Sequence, residues 1–166
     1  MMMANRIIYI MGVSGSGKTT IGKLLSQKTE IPFFDADDFH TVSNRKKMKA
    51  GQPLNDEDRE EWVHQLNQLA IEQMSLKGAI IACSALKEKY RHVLSKAIEK
   101  PLWIFLQGNY DMIYERMKNR KGHYMPASLL QSQFDNLEIP GNAFCVSIEQ
   151  EPNEIVALIC KQLTEK

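Results

Sequence analysis

The eight residues GVSGSGKT, positions 12 to 19, have types and spacing that select one chemistry. Gly12, Gly17, Lys18 and Thr19 complete the pattern G-x-x-x-x-G-K-[ST]. Its glycines let successive backbone N–H groups turn inward to form a nest for an anion, and the following helix points its N-terminus at the same place. Lys18 would bring a mobile positive charge to the β- and γ-phosphates, and the Thr19 hydroxyl would ligate Mg²⁺. Ser14, Gly15, Ser16 and Thr20 belong to the same nucleotide-binding stretch. The pattern follows an apolar run, RIIYIMG, and opens an amphipathic one, KTTIGKLLSQKT, as a phosphate-binding turn between strand and helix requires. The chain is expected to bind a nucleoside triphosphate.

A second cluster, FFDADDFH at 33 to 40, places Asp35, Asp37, Asp38 and His40 within six residues of a chain whose net charge is +1. A solvated turn tolerates such crowding at little cost. The alternative is a site where a metal ion offsets the repulsion and an acceptor hydroxyl is held. On that reading Asp35 lies near Mg²⁺, directly or through water. Either Asp35 or Asp37 orients or deprotonates the hydroxyl, and the residues alone do not separate the two. Asp38 and Phe39 are expected to serve the loop itself.

The cations suggest what is phosphorylated. Arg116, Lys118, Arg120 and Lys121 gather in ERMKNRKGHYMP, a helix running into a glycine-containing loop, as expected of a lid over the phosphates. Arg59, Lys87 and Arg91 stand near the edges of expected helices. Taken with Asp37 and His40 in one cleft, they would hold an acidic group while carboxylate and imidazole bond several hydroxyls, a description of a polyhydroxylated acid. No N-K-x-D or D-x-x-G string is present for a guanine switch, and AIIACSALK ends without the carboxylate usual in motor ATPases.

These residues need a scaffold, and the hydropathy pattern supplies one. Short apolar runs at 6–12, 31–34, 79–84, 102–107 and 143–148 read as strands. Helical patterns follow at 18–29, 55–74 and 111–120, between the third and fourth strands, and from Pro152 at a helix entry. Ile21, Leu24 and Leu25 mark one apolar face, and Trp62, Leu66, Leu69 and Ile71 another, with Asn55 as N-cap of the longer helix. Such alternation implies α/β architecture, a five-stranded parallel sheet with helices on both faces and ligands at the carboxyl ends of the strands. One domain over 1–166 is expected, since no repeat or linker interrupts the chain.

At 43% hydrophobic and 25% charged the composition is globular, and the balanced charge gives no reason to expect nucleic acid as a partner. The three cysteines, Cys83, Cys145 and Cys160, lack metal or disulfide spacing and read as reduced thiols, two of them in core elements. IIYIM is too short to span a bilayer and lacks a cleavage site, so no membrane partner and a cytoplasmic location are expected.

MGVSGSGKTT (11–20), DADDFH (35–40), NRKKMKAGQPLNDEDREEW (44–62), CSALKEKYR (83–91) and KGHYMPASLLQSQFDNLEIP (121–140) run in one order across most of the chain. Together they resemble the gluconate kinase (gluconokinase) family, P-loop kinases akin to shikimate and nucleoside monophosphate kinases. CSALK, PLND and GHYMP…LLQSQF are more specific than the phosphate loop. The resemblance implies a nucleoside monophosphate kinase-like P-loop fold with a lid at about 116–126, and a homodimer. The activity it implies is ATP-dependent phosphorylation of D-gluconate to 6-phospho-D-gluconate. Carried over, Lys18, Asp35, Asp37 and Arg120 would be catalytic. Asp37, His40, Arg59, Lys87, Arg91 and Gln133 would contact substrate. Arg116 would lie on nucleotide and Pro152 beside the adenine, while the role of His123 stays open. Thr41 departs from the family's expected proline and gives up a fixed φ. A kinase for another sugar acid or polyol on the same fold, or a nucleotide-sensing module without catalysis, also stays open. Intact Lys18, Thr19, Asp35 and Asp37 argue for the enzyme.

Overall fold

The computed structural model describes residues 5–119 and 127–165. Strand β1 (Ile7–Met11) forms the middle of the sheet, and its side chains explain the architecture. All five residues are buried, because successive side chains point to opposite faces and both faces are covered. Ile8 and Ile10 enter one core with Leu25 of α1 (Lys18–Thr29) and Ile159 of α7 (Pro152–Thr164). Ile7, Tyr9 and Met11 enter the other with Trp62 and Leu66 of α3 (Asp56–Met74) and Leu94 of α4 (Glu88–Ser95). Burying one such large apolar side chain contributes about 1.5–3 kcal/mol. Tyr9 is the polar exception; it stacks on Trp103 at 4.4 Å and donates its hydroxyl to the Leu94 carbonyl at 2.7 Å. Burial pushes its phenol pKa well up.

The other strands are β2 (Phe33–Asp35), β3 (Ala79–Ala82), β4 (Leu102–Gln107) and β5 (Phe144–Ser147). The order is β2-β3-β1-β4-β5 and every pairing is parallel, the α/β arrangement expected from the alternating pattern. Further helices are α2 (Val42–Lys49), α5 (Tyr110–Lys118) and α6 (Ala127–Asn136). A 3-10 turn, Ala36–Phe39, follows β2.

Several boundaries differ from the sequence reading. The strand expected at 31–34 runs from Phe33 to Asp35. Glu30 closes α1 at φ 62, and Pro32 has no N–H for the ladder although its carbonyl accepts from Ile80 at 2.9 Å. The 3-10 turn, α2 and α6 lie outside the helical patterns read from the sequence. The residues VSNRKKMK of α2 carry no apolar period, and capping by Thr41 starts that helix instead. Of the cysteines only Cys83 is fully buried; Cys145 is exposed on β5 and Cys160 half-buried on α7. Among the described residues no helix is long and apolar enough to cross a membrane.

Candidate active site

The carboxyl ends of β1, β2 and β3 open into one cleft of about 980 Å³. Its floor is the turn between β1 and α1. Gly15 and Gly17 adopt φ 81 and φ 99, left-handed backbone that favours glycine. At Gly15 a Cβ would also lie 2.7 Å from Met117 Cγ. Lys18 Nζ donates to the carbonyls of Gly12 and Val13, both at 3.0 Å, which keeps the ammonium over the loop. From the first turn of α1 the Thr19 hydroxyl donates to Asp35 Oδ2 at 3.0 Å. Asp35 pairs in register with Ala82, and its other oxygen accepts the Asp37 N–H at 3.0 Å, capping the 3-10 turn. One carboxylate thus ties the phosphate loop to the acidic cluster.

That turn separates the four polar residues of DADDFH by environment. The Asp37 side chain faces the cleft with 80% of its surface exposed. The protein ringing the cleft mouth still reduces its hydration, and that loss, followed by the Asp35 charge, raises its pKa against the opposing pull of Lys18 and Arg45. His40 is buried beneath it, stacked on Trp62 with ring centroids 4.2 Å apart. Burial, then Arg59 and Arg45, lower its pKa to about 4, so the ring is neutral at physiological pH. Trp62, expected in the core, is buried there and also lines the cleft. Its Nε1 donates to the Ala36 carbonyl at 2.8 Å, which holds the 3-10 turn on α3.

Arg59, one turn before Trp62, also lines the cleft, its guanidinium 5.7 Å over the Tyr90 ring and 3.5 Å from the Tyr90 hydroxyl. Behind it Asp56 accepts from Lys89, Tyr90 and Lys87, the last at 3.1 Å. Those bonds, from Lys89 first, hold the Asp56 carboxyl well below the usual carboxylate range. The α3 N-terminus is fixed by a capping box between Asn55 and Asp58, more than the single cap the sequence suggested.

The cleft brings together Ser14, Gly15, Gly17, Lys18, Thr19 and Thr20 with Asp35, Asp37, His40, Arg59, Arg116 and Gln133. Other expected residues stand elsewhere. Gly12 lies at the base of the loop, where a Cβ would come within 2.7 Å of Ser16 Oγ. Ser16 is buried, and its hydroxyl has no hydrogen-bond partner among the described residues. Lys87 is paired with Asp56, and Pro152 is exposed at the first turn of α7. Arg91, expected on substrate, is only 5% exposed. Its guanidinium donates to the carbonyls of Ala85 (2.6 Å) and Glu138 (2.9 Å) and to Glu88 (3.0 Å), which clamps the β3–α4 loop to the segment after α6. Gln133, expected among the acceptor contacts, is bonded to the phosphate loop: it accepts from the Ser14 N–H at 2.7 Å and donates to the Ser14 hydroxyl at 2.9 Å. Arg116 donates to the Ile148 carbonyl beside β5. Of the lid expected at about 116–126, residues 116–119 form the end of α5 and its cap, while Arg120, His123 and the rest of 120–126 lie outside the described residues.

Sequence reasoning missed Lys23, Ser84 and Gln52–Leu54, all of which line the cleft. Lys23 follows Thr19 by one helical turn, a spacing that could have found it. The burial of Cys83 raises its thiol pKa to about 12, in keeping with a packing residue. An anion nest, a cation above it, paired oxygens and an open carboxylate meeting in one cleft are the parts that phosphoryl transfer needs.

A family model described as Shikimate kinase matches residues 14–139. A probable gluconokinase of Mus musculus is 40% identical, over 98% of this chain and 100% of the relative. The thermoresistant gluconokinase of Escherichia coli is 38% identical, over 92% of this chain and 90% of its own. The crystal structure of a gluconokinase from Sinorhizobium meliloti 1021 superposes with a TM-score of 0.88 at 36% identity, covering 97% of this chain and 93% of that one.

Proposed function

Since the chain belongs to the gluconokinase family of P-loop kinases, we propose that it transfers the γ-phosphoryl group of ATP to the terminal hydroxyl of D-gluconate, giving 6-phospho-D-gluconate. The observation that carries this reading is the Thr19–Asp35 hydrogen bond at 3.0 Å, which joins the phosphate loop to the carboxylates of the acceptor side.

The phosphate loop binds the triphosphate through its N–H groups, and Lys18 neutralises charge on the β/γ bridge as the bond to the leaving oxygen breaks. Thr19 Oγ1 and Asp35 Oδ2 are adjacent hard oxygens, the donor type Mg²⁺ selects. Mg²⁺ prefers one or two protein oxygens with phosphate and water, and this pair fits it. When bound, the ion supplies charge neutralisation across the phosphates. Asp35 is already engaged by Thr19 and the Asp37 N–H, whereas Asp37 faces the cleft with a raised pKa. Asp37 therefore orients the acceptor hydroxyl and takes its proton as the new P–O bond forms. His40 bonds a second hydroxyl and Arg59 the acid end. Gln133 steadies the loop through Ser14, Arg91 holds the β3–α4 loop, and Arg116 stays beside the nucleotide. The whole chain acts as one cytoplasmic domain and assembles as a homodimer, which light scattering would check.

The test is ADP release from Mg·ATP with D-gluconate, alongside shikimate, glycerate, glucose and AMP. Gluconate-dependent release is expected. Release with another acceptor alone would overturn the substrate, and release with none would overturn the reaction.

A further inference from the structure

Asn44 sits on the first turn of α2 and is only 2% exposed. Its backbone N–H donates to the Thr41 hydroxyl at 3.0 Å, which caps the helix. The Nδ2 atom lies 2.8 Å from the Asp58 carbonyl and 3.3 Å from His40 Nδ1. A carbonyl only accepts, so the amide must face Asp58 with its NH₂ group, and its second N–H points at the imidazole. His40 Nδ1 is then a lone pair, and the ring proton sits on Nε2, 3.9 Å from Asp37 Oδ1 at the cleft. Stacking on Trp62 at an interplanar angle of 15° fixes the ring plane.

Building on the proposed acceptor side of the cleft, we propose that Asn44 is a positioning residue that locks His40 in its neutral Nε2–H tautomer, giving the cleft a permanent hydrogen-bond donor beside the Asp37 acceptor and so selecting a substrate carbon chain bearing neighbouring hydroxyls. The charged groups facing His40 are Arg59 from α3, Arg45 from α2, Asp35 from the end of β2 and Asp37 from the 3-10 turn. Burial and the two arginines outweigh the carboxylates and keep the ring uncharged well below neutral pH. A neutral Nε2–H binds a hydroxyl oxygen without drawing the substrate's carboxylate to that spot, which leaves the acid end to Arg59.

Two measurements test this. In the wild-type protein, ¹⁵N NMR of the His40 ring is expected to show a neutral Nε2–H imidazole that does not titrate between pH 5.5 and 8. An Nδ1–H ring, or titration in that window, would overturn the proposal. Asn44→Asp supplies the kinetic test. Its carboxylate would accept a hydrogen bond from Nδ1–H, which selects the Nδ1–H tautomer and raises the His40 pKa, so an Nε2 donor would exist only in the protonated ring. The KM for gluconate, relative to wild type, should then climb roughly 5-fold as pH rises through that pKa, while the relative KM for ATP stays level. A pH-independent ratio would overturn the proposal. Should this variant fail to fold, the wild-type spectrum decides alone. Wild-type turnover with gluconate is measured separately: its absence would strike the substrate assignment and leave the tautomer assignment standing.

Discussion

Replacing Arg91 with alanine removes a buried guanidinium that donates to the carbonyls of Ala85 and Glu138, the second of them 47 residues along the chain. Each of these charge-assisted bonds contributes about 1.5–3 kcal/mol. The Glu88 partner is 70% exposed and adds little. With some water entering the vacated space, the net loss should be about 3 kcal/mol. For a chain of 166 residues that lowers Tm by roughly 6–12 °C. Thermal and urea unfolding measure the loss, and the gluconate KM is taken well below the lowered Tm. Arg91→Met, which keeps much of the packing, should lose nearly as much because the carbonyls remain unpaired. Unchanged Tm with a large rise in gluconate KM would refute the reasoning and return Arg91 to the substrate.

Lys18→Ala should cut turnover roughly 100-fold or more with the circular dichroism spectrum unchanged; near-normal activity would remove the phosphate loop from the mechanism. Asp37→Asn should lower kcat by roughly 10²- to 10⁴-fold while nucleotide affinity hardly moves, and weaker ATP binding as the main effect would contradict its role as base. Asp35→Asn should instead raise the Mg²⁺ concentration needed for half-maximal rate, as a magnesium titration would read. His40 is neutral when folded, with its pKa lowered from 6.5 to about 4, so it contributes stability above pH 6.5 that is lost as pH falls toward 4. Urea unfolding should show that decline and a shallower one in His40→Gln; parallel profiles would contradict it.

The strands and long helices were legible because β1 and β3 are short unbroken apolar runs and α1 and α3 repeat apolar residues at helical spacing. The phosphate loop was legible because its chemistry restricts residue type at fixed intervals. What stayed hidden depends on contacts between distant segments. VSNRKKMK carries no apolar stripe; the Thr41 cap and the bonds of Asn44, Arg45 and Lys47 to His40, Asp38 and Asp58 hold it instead. Gln133 lies 119 residues from Ser14, and no local pattern announces that pairing. Arg91 and Arg59 look alike as isolated cations; burial alone distinguishes the clamp from the cleft residue. Asp35 and Asp37 likewise became distinguishable once the 3-10 turn showed which carboxylate was already bonded and which faced the cleft.

In the proposed reaction this cleft aligns the γ-phosphate of ATP with the terminal hydroxyl of gluconate. The most direct measurement is ³¹P–¹H correlated NMR of the product formed from Mg·ATP and D-gluconate. A single phosphate ester coupled to the C6 methylene protons is expected, formed by the wild type and scarcely at all by Asp37→Asn. A phosphate on another hydroxyl, or inorganic phosphate released without an ester, would contradict it.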